Sequence, residues 1–271
     1  MTGVSGMYVN KLTIAGDYVL VSNYAPRGFG GKGKKRKPKT KETPKPMADY
    51  NRHKRAEKLQ LLMILNFDLG YHITLDYPKG KRPETYDEAE KNLTDFLHKM
   101  TRRIRKIKKF KYIAITERGK KQEALHHHMV VEGDPLLLRE ITKVWGNHIK
   151  ISQMYEEGAY KELADYFCKV ETKEEQTKGR SKYHRSRNLK EPEVKSRLVS
   201  GSIEEPYVPR GYELMEESVV DGFNEFIFLR YQSYMIRKKK EMPQKRADPP
   251  RKTGIWESIK KIFRKKRRDG C

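Results

Sequence analysis

The sequence predicts an α+β fold in which helices pack on an antiparallel sheet. Three observations predict it. Between residues 71 and 171, short segments of alternating apolar and polar residues interchange with longer segments of helical period. Two of the short segments lie only a few residues apart, as hairpin partners do. The whole set reads strand, helix, strand, strand, helix, strand, helix, a β-α-β-β-α-β-α order of ferredoxin-like type rather than a run of parallel βαβ units.

Each element has its own warrant. Residues 71–77 put Tyr71, Ile73, Leu75 and Tyr77 on one face and His72, Thr74 and Asp76 on the other, and Pro78-Lys79-Gly80 closes the strand. Residues 86–106 carry Ala89, Leu93, Phe96, Leu97, Met100 and Ile104 as a helical stripe. Residues 110–117 and 125–131 are the next two strands, with Arg118-Gly119-Lys120 opening the turn between them. Pro135 suits the first turn of a helix that runs to about Trp145. A fourth strand is expected at 147–154 and a last helix from about Ala159 to Glu171. Upstream, Ala56, Leu59, Leu62, Met63 and Asn66 recur at near-helical spacing. Earlier still, residues 11–14 and 18–22 flank Ala-Gly-Asp as a small hairpin, marginal unless it docks on something.

The chain of 271 residues has a formal net charge of +24, with 35% charged and 36% apolar residues. The surplus sits at the ends: residues 1–58 carry +10, residues 235–271 carry +11, and the middle only +3. The Gly-, Lys- and Pro-rich stretch 28–46 is expected to be a disordered basic arm. Near the other end, Ile255, Trp256, Ile259, Ile262 and Phe263 among Lys260, Lys261 and Arg264 to Arg268 make a short basic amphipathic helix. Three regions follow: 1–46, hairpin and basic arm; 47–192, the helix-and-sheet body; and 193–271, an extension with the basic helix. No apolar run approaches the roughly 18 residues of a membrane span, and no signal peptide is visible. Cys168 and Cys271 give no disulfide framework, which fits a reducing cytoplasm. The positive charge calls for a polyanionic partner, nucleic acid first and an anionic membrane second.

The chemistry concentrates in two places. His126-His127-His128 lies on a strand, so His126 and His128 share a face and His127 takes the other. Imidazoles about 7 Å apart along a strand can converge on one divalent ion, with Glu117 across the hairpin as a third, oxygen ligand and open positions for water or phosphate. Strict alternation places Glu117 on the side of Ile113 and Ile115, so a bulge or end-of-strand twist is needed to aim it at the histidines. His148 is a weaker alternative ligand, and His72 weaker still. In the last helix Tyr160, Leu163, Ala164, Phe167 and Val170 form the apolar stripe, while Tyr166 lies about 100° away from its centre. Taken alone Tyr166 is an ordinary boundary tyrosine. Beside a metal-type His pair, its oxygen is a workable nucleophile on a phosphodiester, with Lys169 one turn ahead to stabilise phosphate or phenolate. Arg102, Arg103 and Lys106 in the basic stretch 99–111, and Arg185 and Arg187 in 180–190, are candidate nucleic-acid contacts. Solvated helix end and linker are their bland readings.

These motifs carry a resemblance. HITLDYP, ITERGK, LHHHMVV and LADYFCKVE, in that order, resemble the rolling-circle replication initiators of the HUH endonuclease superfamily. With NRHKRAEKLQLLMILNF before them and SRNLKEP after them, they look like replication-associated proteins of mobile elements in Firmicutes. The resemblance spans roughly residues 8–192. It implies the HUH endonuclease fold, His126, His128 and Glu117 as ligands of Mg²⁺ or Mn²⁺, Tyr166 as nucleophile and Lys169 as its basic companion. His127 departs from the family, which often has a bulky apolar residue there, but that side chain points away from the metal face. Tyr160 and Tyr166 do not share a helical face, so one nucleophilic tyrosine is implied.

The resulting expectation is a cytoplasmic, metal-dependent, sequence-specific single-strand DNA nickase that initiates rolling-circle replication through a 5′-phosphotyrosine link. Its partners would be single-stranded or hairpin origin DNA and a host helicase and polymerase. Membrane contact by residues 254–268 is the lesser use of the basic helix. The alternatives are a transposase or relaxase of the same superfamily, and a nonenzymatic module that binds single-stranded nucleic acid.

Overall fold

A computed structural model describes residues 6–26, 45–119, 124–154, 157–169, 183–224 and 229–239. Residues 1–237 form one unit and 238–271 a second; the first contains both sheets. The expected basic arm at 28–46, apart from its last two residues, and the amphipathic helix at 254–268 lie outside the described residues.

The expected α+β architecture is present, with a second sheet in addition. The body sheet contains β3 (Tyr71–Leu75), β4 (Tyr112–Arg118), β5 (Leu125–Val131), β6 (Ile149–Gln153) and the short β7 (His184–Arg185). Its strand order is β6-β3-β5-β4-β7, and the paired strands are antiparallel. Helices α2 (Tyr86–Ile104) and α3 (Pro135–Trp145) cover one face. Each is capped by a side chain: Thr85 accepts the Glu88 N–H and Asp134 accepts the Leu136 N–H. Leu93, Phe96, Leu97, Met100, Leu137 and Ile141 meet Ile73, Leu75, Ala114, Met129 and Val131 from the strands. The other face carries α1 (Lys45–Asn66) and α4 (Lys161–Phe167). There Leu59, Leu62, Met63, Phe67, Ala164 and Phe167 pack on Ile113, Ile115 and Val130.

This second covered face settles the aim of Glu117. Ile113 and Ile115 belong to the α1–α4 layer, and Glu117 follows them by plain alternation. In the antiparallel register Glu117 stands opposite His126, and Ile115 opposite His128. Directly paired residues share a face, so no bulge or added twist is needed.

The second sheet is built from distant parts of the chain. Hairpin β1 (Met7–Ala15) and β2 (Tyr18–Tyr24) lies between β8 (Glu193–Ser200) on one side and β10 (Leu229–Lys238) with β9 (Tyr212–Asn224) on the other, in the order β8-β1-β2-β10-β9. Gly16 takes φ 60 at the first turn residue, where the primed hairpin turns need a positive angle. Ala15, Tyr18, Leu20 and Met235 then close on Leu61 of α1. Helix α1 therefore has two apolar sides. Leu59, Leu62 and Met63 face the body sheet, while Leu61, Ile64 and Leu65 pack with the second sheet's cluster. Full burial of one such side chain stabilises by about 1.5–3 kcal/mol, and α1 distributes that contribution over both sheets.

The last helix is shorter than expected. A 3₁₀ turn, Glu157–Tyr160, leads into it, Tyr160 sits at φ 59 in the left-handed region, and α4 ends at Phe167. Tyr160, Ala164 and Phe167 of the expected stripe are buried, and Leu163 is half-buried. Val170 lies outside the described residues.

Candidate metal and tyrosine site

The β4–β5 hairpin and α4 bring four side chains together at one end of the α1–α4 face. His126 Nε2 and His128 Nε2 are 3.0 Å apart. Glu117 Oε2 lies 3.1 Å from His128 Nε2 and 3.9 Å from His126 Nε2. One ligand atom from each of the three falls within 4.8 Å of the others. The Tyr166 hydroxyl donates to the Glu117 carboxylate and stands 2.9 Å from His128 Nε2. Tyr166 is separated from these two residues by 49 and 38 positions.

The imidazoles present the correct edges for a cation. His126 Nδ1 is 3.2 Å from the Ala124 carbonyl, which can only accept, so Nδ1 carries the proton and leaves a lone pair on Nε2. His128 Nδ1 is held at 3.1 Å from His72 Nε2 and 3.3 Å from Thr74 Oγ1, and again Nε2 faces inward. Metal-bound imidazoles are commonly fixed in this way through the other ring nitrogen. Two ligands at about 2.1 Å from an ion and at right angles to each other are about 3.0 Å apart. The His126–His128 and His128–Glu117 separations suit that arrangement. Two imidazoles and one carboxylate on one side leave other positions open.

The electrostatics agree. Burial pushes the Glu117 carboxyl up, but hydrogen bonds from His128 and Tyr166 and the nearby imidazoles outweigh it and hold the group ionised. His72 is pushed down to about 4 by burial and by His128. Burial raises the Cys168 thiol to about 11, so this neighbour of Tyr166 is no thiolate. At Gly119 the backbone passes close to a ligand: a Cβ there would stand 3.3 Å from His126 Cε1.

Lys169 lies just beyond the end of α4, exposed, with its backbone N–H on the Tyr166 carbonyl three residues back. Arg102, Arg103 and Lys106 are exposed around the C-terminal end of α2. Tyr86, at the opposite end of that helix, donates to the Thr116 carbonyl beside the site. Sixteen residues of helix place Arg102 about 24 Å from Tyr86. Arg103 is paired with Glu140. Arg185 on edge strand β7 is paired with Glu191, and Arg187 is exposed just beyond it. His148 is not among the converging residues, whereas His72, the weakest candidate ligand, contacts His128 directly. Nothing in the sequence singles out the exposed 3₁₀ turn Lys79–Lys81. It follows β3 at the site end of the sheet, where Leu75 pairs with His127, and no ion pair to Lys79 or Lys81 occurs among the described residues.

An antiparallel sheet covered by helices on both faces, with a His–His–Glu cluster and an apposed tyrosine, is the class of protein that the geometry defines. Residues 70–191 match a family model, that of the replication-associated protein ORF2, and the stretch contains the body sheet and all four clustered residues. This likeness supports a role in initiating replication, and with it DNA binding. No curated protein and no solved structure matches. Among the described residues no helix is long and apolar enough to cross a membrane.

Proposed function

We propose that this protein is an HUH-type single-strand DNA nickase that initiates rolling-circle replication, with Tyr166 as its nucleophile. The observation that carries the reading is the meeting of the Tyr166 hydroxyl with Glu117 and His128, from elements far apart in sequence. Glu117, His126 and His128 fit a divalent cation such as Mg²⁺ or Mn²⁺. When bound, it supplies Lewis acidity to the scissile phosphate. The Tyr166 oxygen attacks phosphorus, the bond to the 3′ oxygen breaks, and the DNA 5′ end stays on the tyrosine as a phosphodiester. The hydrogen bond from Tyr166 to Glu117 supplies an acceptor for the phenolic proton, and the departing 3′ oxygen takes a proton from water and leaves as a hydroxyl that can prime synthesis. Reversal of these steps rejoins strands without ATP. Tyr160 is buried and at a left-handed backbone angle, which supports a single-tyrosine enzyme.

The test is cleavage of single-stranded origin oligonucleotides with Mn²⁺ or Mg²⁺. EDTA, or replacement of His126 and His128 together by Ala, is expected to abolish cleavage. Cleavage at an undiminished rate in that double variant would remove the metal centre from the reading.

A further inference from the structure

Behind the ligands, on the face turned toward α2 and α3, runs a polar chain that nickase chemistry does not itself require. His127 is fully buried between the two ligand histidines in sequence. Its Nε2 lies 2.6 Å from the Tyr77 hydroxyl and its Nδ1 lies 2.9 Å from Thr116 Oγ1. Glu90 of α2 lies near enough to Thr116 for that hydroxyl to help hold its carboxyl ionised. Glu90 is 2.7 Å from His184 Nε2, on the strand β7 that borders β4. Trp145 closes over the His127 ring edge to face, with centroids 5.5 Å apart.

The direction of the chain follows from its end. An ionised Glu90 only accepts, and hydrogen bonds from His184 and Thr116 hold it below its ordinary value against the upward push of burial. Thr116 therefore turns its hydroxyl proton toward Glu90 and accepts from His127 Nδ1–H. His127 Nε2 then accepts from Tyr77. Every polar group on the path is satisfied in one arrangement, which a buried network needs if it is to hold a geometry.

The position of the chain gives it a use. Thr116 and His127 are directly opposite in the β4–β5 register, and the neighbouring pair is Glu117 with His126. A bond between Thr116 and His127 pins one face of the hairpin where the other face presents the ligands. A slip of one residue would turn all of them away. We propose that Thr116, His127 and Glu90 are positioning residues that set the spacing of Glu117, His126 and His128 for their cation. This rests on the metal-centre part of the nickase reading.

The experiment is calorimetric titration of the full chain with Mn²⁺, without DNA, alongside thermal melting. Thr116→Val removes the hydroxyl at nearly constant volume and is expected to weaken Mn²⁺ binding about tenfold, the lower end of what such outer partners contribute. Thr116→Ser should restore it. Glu90→Gln, on the half-exposed side of α2, keeps the shape but not the direction of the chain and should likewise weaken binding about tenfold, so the test survives if Thr116→Val fails to fold. Wild-type Mn²⁺ affinity in folded Glu90→Gln, or in folded Thr116→Val, overturns the proposal and leaves the metal centre standing. No Mn²⁺ binding by the wild type overturns both.

Discussion

At His126 the imidazole is held along one edge, by the Ala124 carbonyl on Nδ1 and by the nearby Gly119 backbone beside Cε1. Gly119→Ala would put a methyl 3.3 Å from that carbon, tighter than ordinary contact, and the ring must yield. The expected result is a several-fold higher Mn²⁺ concentration for half-maximal cleavage with an unchanged melting temperature; an unchanged Mn²⁺ requirement would show that the ring does not move. Much of this site was legible residue by residue. The His-x-His alternation, the solvent-side Tyr166 and the partner Glu117 can all be read from spacing. The aim of Glu117 could not, because alternation tells which residues share a side but not that both sides of the sheet are covered. The part played by His127 was hidden for a related reason: its partners Tyr77 and Thr116 come from the loop after β3 and from β4, with Glu90 behind them on α2.

Among the elements, α1 joins the two sheets. Leu62 is fully buried against the body sheet, and Leu62→Ala is expected to cost about 2–5 kcal/mol. A chemical denaturation curve gives the value, and a loss below about 1 kcal/mol would contradict the packing described. The two basic elements make contrasting predictions. Lys79→Glu with Lys81→Glu, at the site end of the sheet, should weaken oligonucleotide binding and flatten its salt dependence. Arg102→Glu with Lys106→Glu, at the far end of α2, should do so less; fluorescence anisotropy at two salt concentrations separates them. Helix α2 was readable because its apolar stripe is local. The strands β8 and β9 were not. Most side chains of β8 are exposed, so it shows no alternation of burial, and its partner β1 lies some 180 residues away.

Over the whole molecule, the hairpin at residues 7–24 is the centre of a sheet completed by residues 193–238. A deletion aimed at the N-terminal charge must therefore spare it. Removal of 28–44 together with 241–271 is expected to lower DNA affinity and its salt dependence while cleavage at high substrate concentration persists. Acid stability follows from the carboxylates of Glu132 and Asp134. Lys108 and Lys111 bridge to Glu132, and Lys108 also bridges to Asp134. The Asp134 carboxyl is lowered chiefly by its hydrogen bond to Lys108; at Glu132 hydrogen bonds from Lys108 and Lys111 outweigh an upward push from burial. A carboxyl lowered by folding stabilises the protein above its ordinary value, here 4.5 for Glu132 and 3.8 for Asp134, and that stability is lost as pH falls through the lower folded value. Lys108→Met should make denaturation midpoints less sensitive to pH between 5 and 3; equal sensitivity would contradict the pairing.

The covalent-adduct assay bears most directly on the proposed chemistry. A single-stranded origin oligonucleotide is incubated with the full chain and Mn²⁺, and protein-linked DNA is resolved on a denaturing gel. The nickase reading predicts a metal-dependent adduct with the wild type and none with Tyr166→Phe. An adduct that persists in Tyr166→Phe, or wild-type cleavage with no adduct at all, would contradict it.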